Sequence, residues 1–148
     1  MTVSVDAARP LDAGAVGAIL SQATDDAPWL PRVHSRAQEI RFAADMIDAG
    51  WVQVARRNGA IAGFLSRNGA DIHGLYLDPS VQRQGLGRAF VQAAQAVEPA
   101  LRLWVYQANM NAQAFYRALG FCETQRTDGS GNDAGLPDIR FEWQREAG

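Results

Sequence analysis

The most informative part of this 148-residue sequence is Leu75-Tyr76-Leu77-Asp78-Pro79-Ser80-Val81-Gln82-Arg83-Gln84-Gly85-Leu86-Gly87-Arg88. Its apolar start predicts a strand, its proline predicts a turn, and its two glycines predict the start of a helix. The first N–H groups of a helix have no intrahelical partner, and the helix dipole adds partial positive charge there. The stretch therefore predicts a site for a phosphate-bearing anion, with Arg83 and Arg88 adding charge.

Two familiar phosphate-binding motifs do not fit this stretch. A P-loop has Lys and then Ser or Thr after its last glycine, whereas Gly87 is followed by Arg88-Ala89. A dinucleotide-binding fingerprint has a small residue where Phe90 stands, and a parallel strand-helix-strand unit around it. A dinucleotide-binding protein is therefore disfavoured.

The residues upstream predict an antiparallel meander. Asn58-Gly59 and Asn68-Gly69 separate three strand-like runs. Asn-Gly at such a position predicts a type I′ hairpin turn, in which both central residues have positive φ. Two of these turns in succession connect three neighbouring strands.

Periodicity predicts the remaining elements. Helical stripes cover 16–23, 40–47 and 112–119, and Ser35 with Gln38 forms a capping box before the second of them. Strand-like runs lie at the start of the chain and after residues 100, 120 and 138, and the stretch 127–137 is a loop or hairpin arm. The predicted order is β-α-α-β-β-β-α-β-α-β-β, a mixed α/β sheet with helices on both faces. We expect one domain over 1–148.

Composition excludes several classes of protein. The net charge of −2 provides no field for nucleic acid or for an anionic membrane. No apolar run approaches about 18 residues, the rough minimum for a membrane span. The sequence starts without a signal-peptide pattern, so a cytoplasmic protein is expected. The single cysteine, Cys122, forms no internal disulfide or Cys-based metal cluster and is predicted to be a small apolar strand residue.

Two patterns resemble the signatures of the GNAT superfamily of acyl-CoA N-acyltransferases. Gln82-x-x-Gly85-x-Gly87 is similar to the Q/R-x-x-G-x-G/A signature, and Asn109-x-x-Ala112-x-x-Phe115-Tyr116-x-x-x-Gly120-Phe121 is similar to a second one downstream. The resemblance extends from about Ile72 to Phe121. It implies a GNAT fold, whose mostly antiparallel sheet is splayed between the strands at 72–77 and 101–105, and acetyl-CoA as the acetyl donor.

The resemblance also implies how acetyl-CoA is bound. Backbone groups of Leu75, Tyr76 and Leu77 would contact the pantetheine arm and the acetyl carbonyl, because an extended ligand can pair with a free strand edge. Asn109 would reach the same arm. The pyrophosphate would be wrapped by the backbone of Gln82, Arg83, Gln84, Gly85, Leu86, Gly87 and Arg88.

Tyr116 matches the family's usual general acid. A neutral amine attacks the thioester, coenzyme A leaves as a thiolate, and a phenol within hydrogen-bond reach can protonate it. Without the resemblance, Tyr116 could equally be a core aromatic residue beside Phe115. A backbone N–H at Leu77 would stabilise the oxyanion.

The general base has several candidates. Asp71 stands where some members of the family carry a carboxylate, and His73 lies on the same strand, roughly 7 Å away. His34 lies with Glu39 near the loop between the first two helices, where the family places its acceptor, and water is a further candidate. Another group of members carries a glutamate at the position of Trp104, so a ribosomal-protein substrate is disfavoured. Trp29 lines the acceptor pocket or, as we favour, closes the core.

The expected function is transfer of the acetyl group of acetyl-CoA to a primary amine of a small molecule or peptide, by direct attack in a ternary complex without metal. The alternative is a non-catalytic acyl-CoA-binding regulatory module, in which both glycine signatures would remain but Tyr116 would be expendable. The acceptor is not identified by any motif. A homodimer formed through the late strands is compatible with the sequence.

Overall fold

The computed structural model describes residues 3–146. In this part of the chain the elements are β1 (Val3–Ala7), α1 (Ala13–Asp26), α2 (Arg36–Asp48), β2 (Val52–Arg57), β3 (Ala60–Asn68), β4 (Asp71–Leu77), α3 (Leu86–Val97), β5 (Ala100–Tyr106), α4 (Met110–Ala118), β6 (Cys122–Thr127) and β7 (Asp138–Gln144). Short 3-10 turns, Pro10–Asp12 and Pro79–Val81, precede α1 and α3. This order of strands and α-helices is the one predicted from the sequence.

All seven strands form one sheet in the order β1-β2-β3-β4-β5-β7-β6. Neighbouring strands are antiparallel except β4 and β5, which are parallel at the centre of the sheet. The predicted mixed, mostly antiparallel sheet is therefore confirmed.

The central strands β4 and β5 are joined at one end and diverge from there. Their register contains the single pair Asp71–Arg102, beside which the Arg102 N–H donates to the Ala70 carbonyl at 2.8 Å. Beyond this point β4 pairs with β3, and β5 pairs with β7 along its whole length. A slot therefore opens between Leu75–Leu77 and the second half of β5, as the predicted splay requires.

Two hydrophobic cores lie on opposite faces of the sheet. On one face, α3 and α4 pack over buried side chains that include Phe90, Val91 and Phe141. On the other, α1 and α2 cover a second group that includes Val16 and Phe64. Burying a large apolar side chain completely stabilises the fold by about 1.5–3 kcal/mol. Helices therefore cover both faces, as predicted.

The two Asn-Gly turns differ from each other. Asn58 and Gly59 both have positive φ, 53° and 84°, as a type I′ turn requires. Asn68 instead pairs with Asp71 as the last residue of β3, so the central residues are Gly69 and Ala70, and only Gly69 has positive φ, 57°. The meander is confirmed, but a type I′ turn at Asn68-Gly69 is wrong because β3 extends one residue further than expected.

Two local predictions have different outcomes. The capping box at α2 is confirmed: the Gln38 N–H donates to the Ser35 hydroxyl at 3.1 Å, and the Ser35 N–H donates to the Gln38 side chain at 2.8 Å. Cys122 does lie on a strand, but it is exposed, because β6 is an edge strand with little packed against it. Its prediction as a small apolar strand residue is thus confirmed for the strand, and its exposure is the part that the sequence did not indicate. None of the helices described between residues 3 and 146 contains an apolar stretch that could span a lipid bilayer.

Candidate active site

The N-terminus of α3 has free backbone donors. Gly85 is its N-cap, with a left-handed φ of 80°, and no side chain caps the helix. Arg83 also has positive φ, 65°, which is uncommon outside glycine. The turn therefore presents the first N–H groups of α3 without intrahelical partners, in the arrangement that binds anions.

Gly87 has a packing role in addition. A Cβ atom at this position would lie 3.3 Å from the Phe115 ring on α4 and 3.6 Å from the Leu77 side chain. The second glycine of the motif therefore lets α3 approach α4 and β4 closely. Gly85 differs, because its Cβ would meet nothing within 4 Å and its left-handed backbone alone requires glycine.

Backbone groups of β4 face the slot. The Asp78 N–H donates to Ala62 on β3 at 2.8 Å. Hydrogen-bonding groups alternate direction along a strand, so those of Leu77 and Leu75 point away from β3, towards the gap. The Leu77 carbonyl indeed accepts a hydrogen bond from the Gln82 side-chain amide at 3.3 Å. The same alternation directs the backbone groups of Tyr76 towards β3, so of the three predicted residues only Leu75 and Leu77 offer a free strand edge to an extended ligand.

Tyr116 lines the slot from α4. It is 7% exposed, and its ring packs edge-on against Phe115 and Phe121 at centroid distances of 5.0 and 5.4 Å. Burial, and secondarily the neighbouring Tyr76, raises the pKa of the Tyr116 phenol well above its ordinary value of 10.0. The phenol is therefore protonated at neutral pH and can donate a proton.

Asn109 belongs to the same site and also caps α4. Its side-chain oxygen accepts the Ala112 N–H at 3.1 Å, which leaves the amide NH₂ group as a donor. Asn109 lines the slot and also a cleft of about 570 Å³ beside α1, which we call the α1 cleft. The α1 cleft includes Leu75, Leu77 and Gln82, so it joins the slot to the turn before α3.

Trp29 lies in the wall of the α1 cleft and not in the core. It is partly exposed, and its ring meets that of Tyr106 edge-on at 5.5 Å. The favoured core position was wrong because Trp29 follows α1 in a loop that crosses the mouth of the slot. Trp29 does line a cleft wall, and the weighed alternative that this wall belongs to the acceptor pocket stays a prediction.

Asp71 lies at the closed end of the slot. Its carboxylate accepts hydrogen bonds from Arg102 at 2.6 and 3.4 Å, and it lines a small pocket together with His73, Arg102, Trp104 and Arg140. Tyr116 is not part of that pocket, and Asp71 is not part of the slot. The structure therefore does not bring the two predicted catalytic residues together.

His73 occupies a β-bulge. Ile72 pairs with Arg67 and Gly74 pairs with Ser66, so His73 is the extra residue between them. Its exposed ring packs against Trp51 at a centroid distance of 4.9 Å. His73 lines the slot, the small pocket beside Asp71 and a larger cavity described below. It is thus the candidate base with direct access to the slot.

His34 and Glu39 have different surroundings. His34 lies 3.2 Å from the Asp133 carboxylate, so the loop after α1 meets the β6–β7 loop there. Glu39 is buried and accepts hydrogen bonds from the Ser21 hydroxyl at 2.7 Å and from Arg32. Glu39 therefore holds α1, α2 and their loop together, while His34 joins two loops over the site.

A cavity of about 640 Å³ lies on the other side of the slot, under the β6–β7 loop. We call it the loop cavity. It shares His73, Tyr76, Trp104, Val105 and Tyr106 with the slot, and its other lining residues are Thr127, Ser130, Gly131, Asn132 and Asp138. The slot therefore connects the α1 cleft to the loop cavity.

Asp138 was missed by the sequence analysis. It is the first residue of β7, opposite Tyr106 of β5, and its side chain is buried in the wall of the loop cavity. The alternation of Ile139, Phe141 and Trp143 does assign Asp138 to the other face of β7. Only the insertion of β7 between β5 and β6 places that face beside the slot.

Comparisons with known proteins agree with this architecture. Residues 19–121 match the family model described as the acetyltransferase (GNAT) family. A relative from Salmonella typhimurium, the peptidyl-lysine N-acetyltransferase YjaB, is 33% identical over 78 residues, which are 53% of this chain and 53% of that protein. The match thus spans about half the length of this curated relative.

Solved structures show the same fold. The solution structure of apo YjaB from Escherichia coli superposes with a TM-score of 0.79 at 24% identity, covering 96% of this chain and 97% of that one. YncA from Salmonella typhimurium, solved with acetyl-CoA, gives a TM-score of 0.75 at 20% identity over 100% of this chain and 98% of the other. Because the family model covers more than half of the sequence, the chain belongs to the GNAT family of acetyltransferases.

Proposed function

We propose that this protein transfers the acetyl group of acetyl-CoA to the side-chain amine of a lysine in a peptide or protein, by direct attack in a ternary complex. The observation that carries the proposal is one continuous opening through the sheet. The uncapped α3 turn lies at one end of it, Tyr116 lies in the slot, and the loop cavity lies beyond. The peptidyl-lysine acceptor is taken from the relatives YjaB and YiaC, which are named for that activity.

The residues present fit acetyl-CoA, which supplies the acetyl thioester. The free N–H groups at the start of α3, with Arg83 and Arg88, suit a diphosphate. The edge of β4 at Leu75 and Leu77 and the free amide of Asn109 suit the polar groups of an extended pantetheine arm. These residues bind and orient the donor, and the narrow slot limits the access of water.

Two groups act directly on the reaction. The Leu77 N–H faces the slot and can donate to the carbonyl oxygen on which negative charge develops, and Tyr116 gives its proton to the departing sulfur. Burial raises the pKa of the Tyr116 phenol, which keeps it in the protonated form that a general acid requires and also makes it a weaker proton donor, so the role rests on its position in the slot.

The incoming amine must lose a proton before it attacks. An alkyl amine with a pKa of about 10.4 is almost fully protonated at neutral pH. We propose His73, acting through water, because it lines both the loop cavity and the slot. Asp71 is a weaker candidate, because Arg102 already occupies both of its oxygens.

Acetyl transfer to a lysine peptide tests the proposal. The purified protein is mixed with acetyl-CoA and the peptide, and acetyl-lysine is measured by mass spectrometry, with Tyr116→Phe as the matched variant. The sequence contains no lysine, so all acetyl-lysine must come from the added acceptor. Coenzyme A binding without transfer to any amine would instead support a non-catalytic acyl-CoA-binding module, and no coenzyme A binding by the folded protein would reject both.

Three further properties remain predictions. We propose that residues 1–148 form a single acetyltransferase domain and that the protein is located in the cytoplasm. We also propose that it forms a homodimer through its last strands, β6 and β7. Size-exclusion chromatography with light scattering measures the last of these directly.

A further inference from the structure

The buried carboxylate of Asp138 has no cationic partner among its hydrogen-bond donors. It is 8% exposed, and it accepts hydrogen bonds from the Thr127 hydroxyl and, at 3.2 Å, from the Asn132 side-chain amide. Both of these donors are uncharged. Aspartate is rarely buried this deeply without a cation, because taking a carboxylate out of water is costly. Asp138 therefore places a negative charge in the wall of the loop cavity that the described residues leave uncompensated.

Aromatic rings form much of the remaining wall. Tyr76, Trp104 and Tyr106 all line the loop cavity, and the electron-rich face of such rings attracts cations. The charge of Asp138 raises the pKa of the Tyr106 phenol, after burial as the larger cause, so the carboxylate and this ring are close. Trp104 is 47% exposed, although a large apolar side chain is normally covered.

No arginine lines the loop cavity within residues 3–146. The Arg140 guanidinium lies 5.9 Å from the centre of the Trp104 ring, and its Nε lies 3.8 Å from Glu142. Arg140 lines the small pocket beside Asp71 instead. The loop cavity thus combines one buried carboxylate with aromatic walls, a composition suited to an alkylammonium ion.

We propose that the loop cavity receives the acceptor as an alkylammonium ion and that Asp138 is the residue that selects this charge. The inference rests on the proposed acetyl transfer and deepens it by naming a specificity-determining residue. Asp138 recruits the charged amine, which then gives its proton through a water molecule to the His73 imidazole and advances into the slot as the neutral amine. Asp138 is therefore expected to determine KM for the acceptor, and not kcat.

Binding of two unreactive peptides tests the inference without turnover. One carries trimethyl-lysine, which keeps the positive charge but cannot be acetylated, and the other carries norleucine, which is uncharged. Each peptide is titrated by calorimetry into protein saturated with coenzyme A. We expect the wild type to bind the trimethyl-lysine peptide about 10-fold more tightly and Asp138→Asn to lose this preference. Glu142→Gln, on the same face of β7 but outside the cavity, should keep it.

Kinetics with an unmodified lysine peptide add a second measurement. Asp138→Asn should raise KM for the peptide about 10- to 100-fold and change kcat less than about 3-fold, because a hydrogen bond to a charged group is lost in binding and not in the reaction. If Asp138→Asn fails to fold, Trp104→Leu replaces it, since Trp104 is exposed, and should weaken the preference for the charged peptide about 3-fold.

The two proposals fail separately. Equal affinity for the two peptides, no measurable affinity for either, or a preference that survives in Asp138→Asn would overturn the role of Asp138 even if lysine is acetylated. If the protein binds the trimethyl-lysine peptide more tightly than the norleucine peptide but transfers no acetyl group, the ammonium site is supported and the proposed acetyltransferase activity is rejected.

Discussion

Asp71 and Arg102 form the one register pair between β4 and β5, and the same two residues are joined by an ion pair with an Nε–Oδ1 distance of 2.6 Å. The pair lies at the point where the central strands begin to separate. A carboxylate that sequence reasoning assigned to catalysis is thus placed where it can hold the closed end of the slot.

Asp71→Asn should have little effect on the reaction. Because Arg102 holds the carboxylate and Asp71 does not line the slot that contains Tyr116, we expect kcat at pH 8 to change less than about 3-fold. Stability should fall only slightly, because ion pairs that are about half exposed contribute little. Steady-state kinetics and urea unfolding measure both quantities. A loss of kcat of two orders of magnitude in the folded variant would assign Asp71 as the base.

His73→Gln should lower kcat in a pH-dependent way. At pH 7 the variant lacks the proposed relay, while at higher pH a growing share of the amine is already neutral, since its pKa is about 10.4. We therefore expect a defect of about 10²-fold at pH 7 that narrows steadily towards pH 10. The comparison is a pH–rate profile of both proteins with a lysine peptide. A constant ratio across the range would argue against proton transfer through His73.

Tyr116→Phe removes the proposed acid and keeps the packing of the ring. We expect kcat to fall about 10²- to 10⁴-fold, with coenzyme A affinity retained. Since burial raises the pKa of Tyr116 above 10, the phenol stays protonated throughout the range of the assay, and its ionisation should produce no loss of wild-type rate below about pH 10. Stopped-time assays and calorimetry with coenzyme A check the two parts. Full activity of the variant would contradict the role.

Gly85→Ala should damage the anion site. A left-handed residue other than glycine costs about 1–2 kcal/mol, and relaxing that strain moves the first N–H groups of α3. Coenzyme A should therefore bind about 10-fold more weakly by calorimetry. Gly14→Ala is the matched control: Gly14 lies in α1 with open space around it, so alanine should stabilise the helix by up to about 1 kcal/mol and leave binding unchanged.

The ion pair of Asp12 with Arg56 should make stability depend on pH. The hydrogen bonds from Arg56, the main cause, lower the pKa of Asp12 below its ordinary value of 3.8. A lowered pKa means that the carboxylate stabilises the folded state above the unfolded-state pKa, and that this contribution is lost as the pH falls through the lower, folded-state value. Asp12→Asn should thus unfold at lower urea than the wild type at pH 7, and this difference should shrink progressively as the pH falls below 3.8. A difference that stays constant over the whole acidic range in which both proteins fold would contradict the assignment.

The local signals in the sequence were reliable where neighbouring residues alone decide the outcome. Three predicted features depend only on interactions within a few residues, and each is observed. They are the change from strand to helical period around Gly85 and Gly87, the capping box at Ser35 and the turn at Asn58-Gly59. One local signal failed, because β3 extends to Asn68 and the type I′ turn expected at Asn68-Gly69 does not form. The other errors concern positions where packing decides. Trp29 lines a cleft because the loop after α1 lies beside the slot, and Cys122 is exposed because β6 is an edge strand.

The sequence by itself determined the order of the elements, the antiparallel meander and the turn with free backbone donors at the start of α3, because helix and strand periods and left-handed glycines are local properties. Only the tertiary structure decided which carboxylates reach the site. Arg102 pairs with Asp71 at the single register position shared by β4 and β5, and this keeps the Asp71 carboxylate out of the slot. The insertion of β7 beside β5 places Asp138 in the wall of the loop cavity. Both outcomes depend on strand neighbours that are far apart in the chain, so no local pattern could have revealed them.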